Sequence, residues 1–183
     1  GFIIENGAKI TVDDGDIIAG DVFGKREMVP DPQGRVGMFL TNEHYTELKA
    51  PNGKIIVGNV LNTVKLEADS IIALNLDEHV KVKGRNISIL GSKVTHNVEF
   101  VLLKGGTIKF HDTGSGFDIS NDAFLRLENG KEFRLDELKV TNFIGNGGRE
   151  ITYEYLDSKD KKKSEEKGKW FSKLGGLGKG FGR

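Results

Sequence analysis

Four Asn-Gly pairs constrain this chain more than any other feature: Asn6-Gly7, Asn52-Gly53, Asn129-Gly130 and Asn146-Gly147. Both residue types tolerate a positive φ, which the two central residues of a tight hairpin turn require. Three of the pairs lie between apolar or alternating runs, FII-ENG-AKITV, TELKA-PNG-KIIVG and AFLRL-ENG-KEFRL. Each pair predicts a β-hairpin with a mechanism behind it. Four in one chain predict antiparallel β structure.

Hydropathic alternation agrees. In VTHNVEFVLL, Val94, His96, Val98, Phe100 and Leu102 share one face of an extended strand, and Thr95, Asn97 and Glu99 share the other. Ile108 and Phe110 oppose Thr107, Lys109 and His111, and Ile151, Tyr153 and Tyr155 share a face. Shorter runs over 16–23, 35–40, 60–67, 70–74, 79–83, 86–90 and 138–144 fit the same period. Roughly a dozen short strands with frequent turns read as a sandwich or barrel. A parallel α/β sheet would need long amphipathic crossover helices, and no such pattern occurs before residue 156. No internal repeat at a fixed period stands out. Pro30 and Pro32 frame a loop, VPDPQG. The expected fold is all-β, an antiparallel sandwich or barrel over residues 1–156, with a flexible or short helical arm over 157–183.

The arm breaks the pattern. DSKDKKKSEEKGK has no aliphatic residue to bury and reads as a charged linker. Beyond it, KGKWFSKLGGLGKGFGR places Trp170, Leu174, Leu177 and Phe181 at helical spacing, with Phe171 beside them. Its six glycines disfavour a helix in isolation, so a partner must supply the ordering energy. Residues 157–183 hold nine basic and four acidic side chains, a net of +5, which leaves −5 on the rest of this formally neutral chain. Such asymmetry speaks about partners rather than fold. Lys161, Lys162, Lys163, Lys167 and Lys169 are expected to steer the arm. Trp170, Phe171, Leu174, Leu177 and Phe181 are expected to anchor it on another copy of the chain or on a neighbouring assembly protein. A solvated tail is the plainer alternative. An anionic membrane surface is the next expected partner, whereas an acidic body disfavours nucleic acid.

The remaining candidates for chemistry are thin. Asp13, Asp14, Asp16 and Asp21 cluster in VDDGDIIAGD without the spacing of a calcium loop, and read as a solvated turn. His44, His79, His96 and His111 show no metal-ligand spacing, and His96, on an apolar face, reads as a core histidine. His111, Asp112 and Ser115 are the residue types of a hydrolytic triad, but adjacent strand residues point to opposite faces. The glycine clusters GSG (114–116) and GNGG (145–148) lack a phosphate-loop lysine and read as turns. No catalytic residue, metal site or cofactor is expected. With no cysteine, disulfides and thiolate sites are excluded. Neither a signal peptide nor a membrane-spanning apolar run is evident, and the compartment stays open, with a virion and the cytoplasm both compatible.

Within residues 64–112, Ala73, Leu74, Asp77 and Val80 match an "ALxxDxxV" strand, and Leu103, Gly105, Gly106, Thr107 and Ile108 match a "VxLxGxGTV" strand pair. On these residues the segment resembles a repeat of the mitochondrial-biogenesis, Trp-attenuator-like β-sandwich family. The resemblance implies a non-enzymatic, oligomer-forming β fold and transfers no active-site residue. The expected function is therefore that of a structural assembly subunit of the virion, tail or surface-layer kind. A membrane-surface module and a carbohydrate-binding or hydrolytic β domain are the alternatives. A single Trp, in the arm, and three tyrosines argue against sugar stacking.

Overall fold

In the computed structural model the chain winds as a coil. The structure describes residues 2–156 apart from 113, 115, 139–141 and 145–147, with the backbone alone at 39–41 and 142–144. The first turn carries β1 (Lys9–Thr11), β2 (Ile17–Ile18) and β3 (Val22–Phe23), and is followed by a hairpin of β4 (Lys25–Pro30) and β5 (Phe39–His44). Four further turns each pair a long strand with a short one. They are β6 (Thr46–Ile56) with β7 (Val60–Leu61), β8 (Val64–Ala73) with β9 (Leu76–Asp77), β10 (Val80–Ile89) with β11 (Lys93–Val94), and β12 (Glu99–Asp112) with β13 (Asp118–Ile119). Then come β14 (Phe124–Leu127), β15 (Glu132–Arg134), a 3₁₀ turn at Leu135–Glu137, β16 (Asn142–Ile144) and β17 (Gly148–Glu154).

The long strands build one sheet in the order β1-β6-β8-β10-β12-β14-β15, and the short ones a second in the order β13-β11-β9-β7-β3. Pairing is parallel from β1 to β14 and throughout the second sheet. Among the described residues, antiparallel ladders are confined to β4–β5, β14–β15, β12–β17 and β16–β17. The all-β expectation holds. The antiparallel sandwich or barrel does not, because the large sheet is mostly parallel and does not close. A parallel sheet needs a crossover between successive strands, and here a short strand of the second sheet makes it, so no helix is required.

The core is a set of columns. Leu48, Leu66, Val82, Phe100 and Leu125 stack in register, each at most 1% exposed. Ile17, Ile55, Ile71, Ile87 and Ile108 form a second column. Val22, Val60, Leu76 and Val94 form a third on the small sheet. Each long strand bends between its two halves. Phe100 and Phe110 lie on one strand, yet their rings meet edge to face at 5.4 Å. A straight strand rises about 3.3 Å per residue and would hold them roughly 33 Å apart. The buried phase slips at the bend, from Ala68 to Ile71 on β8, so that both halves face inward.

The Asn-Gly pairs divide accordingly. Asn129-Gly130 closes the β14–β15 hairpin, with Gly130 at φ +89°. The strands flanking Asn146-Gly147 pair antiparallel, although that turn lies outside the described residues. Asn6-Gly7 has two positive φ values, 60° and 75°, but carries the chain between the sheets. Asn52-Gly53 lies inside β6, at its bend. Gly53 serves close approach there: a Cβ would sit 1.8 Å from the Gly15 carbonyl oxygen of the previous turn.

Truncating an inward column should cost far more than truncating its outward neighbour. Ile71→Ala should lower unfolding free energy by about 2–5 kcal/mol through transfer and cavity terms, and Ile72→Ala by about 1 kcal/mol or less. Urea denaturation followed by circular dichroism reads both, and equal losses would contradict this bend.

Candidate functional site

The two ends of the coil differ. At the far end, β15 lies antiparallel beside β14, and β17 lies antiparallel along the second half of β12. Leu125, Leu127, Leu135 and Ile151 are thereby buried. At the near end, β1 and β2 pair with β6 on one side only among the described residues. Glu47 N–H donates to the Ala8 carbonyl and Val12 N–H to the Lys49 carbonyl. By strand alternation, the N–H groups of Lys9 and Thr11 then face away from the sheet. Of the inward side chains of this first turn, Ile17 and Val22 are buried, but Ile4, Ile10, Val12 and Ala19 are only partly so. Their neighbours Leu48, Ala50 and Val60 in the second turn are at most 1% exposed. Phe2, Ile3 and Ile18 add 84%, 62% and 70% exposed apolar surface at the same end.

Polar side chains staple the turns together at one corner. Asn59 N–H donates to Asp21 Oδ1 at 2.7 Å, Asn75 Nδ2 to Asn59 Oδ1 at 2.9 Å, and Lys93 N–H to Asn75 Oδ1 at 3.2 Å. Asp16 accepts Lys54 N–H at 2.8 Å. The acidic cluster at 13–21 thus includes two carboxylates that tie the first turn to the second, while Asp13 and Asp14 are exposed. The sequence signal for this ladder was present as Gly20-Asp21-Val22-Phe23, Gly58-Asn59-Val60-Leu61 and Leu74-Asn75-Leu76-Asp77. Its spacing is irregular, which hid it.

At the opposite corner the chain turns with left-handed residues: Asn62 and Thr63, Glu78 and His79, and Asn97. His96 sits in this corner with its side chain 69% exposed, so it is not a core histidine. Its Nδ1 lies 3.3 Å from Ser120 Oγ and 3.4 Å from Asp122 Oδ2. Ser120 Oγ donates to Asp122 Oδ1 at 2.5 Å. Serine, histidine and carboxylate meet, but both partners address the same imidazole nitrogen, and the serine proton goes to the carboxylate. A relay needs the nucleophile and the carboxylate on different nitrogens. The Ser120 hydroxyl, helped by His96 and against the effect of burial, holds the Asp122 carboxyl below its ordinary range.

The four histidines stay apart, each beside a different carboxylate: Glu27, Glu43, Asp122 and Glu150 for His44, His79, His96 and His111. Among the described residues no group of three or more His, Asp or Glu is placed to hold a metal. His111 and Asp112 do point to opposite faces. Asp112 is buried, and accepts the Gly114 and Gly116 N–H groups at 2.9 Å and Arg149 Nη2 at 2.7 Å. The GSG turn therefore cradles the chain's own carboxylate. Ser115 lies outside the described residues, as do residues 145–147 of GNGG. So do Lys161, Lys162, Lys163, Lys167, Lys169, Trp170, Phe171, Leu174, Leu177 and Phe181 of the arm. No described helix is long and apolar enough to cross a membrane. Comparison with family models, with curated proteins and with solved structures gives no match.

Burial raises the Asp112 carboxyl, but Arg149 and the two glycine N–H groups outweigh it and hold the group below its ordinary range. The unfolded chain then takes up this proton first. The stability that Asp112 supplies is fully present above the unfolded value of about 4 and is lost as pH falls through the folded value. The stability gap between the wild type and Asp112→Asn should be constant above about pH 5 and shrink below about pH 4. Urea unfolding across that range measures it, and a pH-independent gap would contradict the assignment.

Proposed function

We propose that this chain is a structural, assembling unit whose open coil end stacks against the same end of a second copy. One observation carries the reading: Ile4, Ile10, Val12 and Ala19 of the first turn are only partly covered beside the exposed Phe2, Ile3 and Ile18, whereas Leu48, Ala50 and Val60 of the next turn are sealed. A coil of this kind completes its core only when another strand layer lies over it. The edge of β1 and β2 offers backbone groups for pairing, the usual hazard and use of an edge strand. The far end carries antiparallel strands, so open end against open end is the favoured match. Such a contact is isologous and two-fold.

The magnitudes are compatible. Fully burying a large apolar side chain is worth roughly 1.5–3 kcal/mol, and association costs an estimated 4–15 kcal/mol. Phe2, Ile3, Ile10, Val12 and Ile18 from each copy, even partly covered, meet that cost. The cationic arm would add a second contact: its lysines steer towards the acidic body, and Trp170, Phe171, Leu174, Leu177 and Phe181 anchor it.

Size-exclusion chromatography with light scattering on the full chain should give twice the chain mass. The double variant Ile3→Glu/Ile18→Glu should give a single chain mass with an unchanged circular dichroism spectrum. Deleting residues 168–183 should weaken the dimer without unfolding the coil. A monomeric wild type, or a double variant that keeps twice the mass, would refute the proposal.

A further inference from the structure

The outer face of the large sheet carries a trough that the stacking contact does not use. Between Tyr45, His79 and Asn97 at the corner and Glu99, Arg126 and Glu132 on the sheet it encloses about 470 Å³. A hollow of about 330 Å³ over Lys9, Glu47 and Lys65 continues it towards the first turn, sharing Glu43 and Tyr45. A third, of about 310 Å³ over Lys65, Lys81 and Lys83, broadens it along the strands. The floor is one in-register row, Lys9, Glu47, Lys65, Lys81, Glu99 and Phe124, on six adjacent strands. At about 4.8 Å per strand, the row is roughly 24 Å long.

Most charges of the floor are paired with one another. Glu47 lies 3.2 Å from Lys9 Nζ and 3.5 Å from Lys65 Nζ, and Arg126 lies 2.8 Å from Glu99 and 3.2 Å from Glu132. Lys65 and Lys81 stand over the Tyr45 ring at 4.3 and 5.6 Å, which leaves little of that ring for stacking. Burial first, and then the hydrogen bond to Glu43 and its charge, push the Tyr45 hydroxyl up to about 12, so it remains a neutral donor.

These features discriminate between ligands. A polyanion would meet Glu47, Glu99 and Glu132 and break their ion pairs, and a polycation would meet the lysines. A peptide strand would find no free backbone edge on this face, where each strand from β6 to β12 is paired on both sides. A chain of vicinal hydroxyls suits it: carboxylates accept, lysine and arginine donate, and neither has to surrender its partner. Successive strands present this mixture at the spacing of successive units of an extended sugar chain. We propose that the trough binds a linear, uncharged polysaccharide lying across the strands and held by hydrogen bonds rather than by aromatic stacking.

Native affinity electrophoresis of the full chain tests this, in gels cast with hydroxyethylcellulose, glucomannan, amylose or polygalacturonate. Retardation is expected with at least one of the three neutral polymers and not with polygalacturonate, and should persist in 0.5 M salt, where the Debye length has fallen to about 4 Å. Lys81→Ala/Glu132→Ala should weaken the retardation about tenfold or more, worth about 1.4 kcal/mol. Arg85→Ala, whose partner Asp69 lies outside the trough, should not change it. No retardation by any neutral polymer, retardation by polygalacturonate alone, or a double variant that binds like the wild type would each overturn the proposal. Ile3→Glu/Ile18→Glu should bind as the wild type does, which separates this surface from the stacking end.

Discussion

Register is the constraint on which the rest of this structure depends. Each turn must bring its apolar residues to the same place as the turn before, so that isoleucine lies on isoleucine and valine on valine along the coil. Once that is required, differences in turn length have to be absorbed elsewhere. Inward partners Leu48, Leu66, Val82, Phe100 and Leu125 are separated by 18, 16, 18 and 25 residues. The excess is taken up at the corners and bends: at Asn52-Gly53 within β6, at Gly105-Gly106 within β12, and in the loop after Asp112. Left-handed residues such as Asn62 and Asn97 tighten one corner, and the Asp21–Asn59–Asn75 ladder satisfies polar groups at the other.

The same register shapes both surfaces proposed to act. Stacking leaves an end wherever it stops. At the far end the chain reverses and lays β15 and β17 antiparallel, whereas the near end keeps its pattern and leaves Ile4, Ile10, Val12 and Ala19 partly covered. On the outer face, register aligns charged residues as strictly as it aligns apolar ones inside. Rows such as Lys9-Glu47-Lys65 pair along the coil and produce a polar, nearly neutral floor. An exposed apolar end and a polar flank are two consequences of one register.

Much of this was legible beforehand. The β character, the Asn129-Gly130 hairpin, the turn at VPDPQG and the opposed directions of His111 and Asp112 follow from local rules. The pairing did not follow. Asn6-Gly7 takes the dihedral angles of a hairpin turn, but a turn of that shape also serves where a chain passes from one sheet to another. His96 shares the parity of Val94 and Val98, yet the strand is interrupted by a corner that Asn97, at positive φ, completes. Runs 79–83 and 86–90 belong to one bent strand, not two. No local pattern marks the exposed apolar end, because GFII reads as an ordinary apolar strand, or the trough, because its residues come from six strands.

By itself, the sequence determined most of the residues that turn inward, where Gly and Asn let the chain change direction and that strands dominate before the arm. Those properties depend on side-chain size, on the two-residue period and on the backbone freedom of Gly and Asn, all of which act within a few residues. Which strand lies beside which, and in what direction, was decided only in three dimensions. Alternation is identical for parallel and antiparallel neighbours, and the choice rests on whether apolar columns from distant turns can stack without a gap.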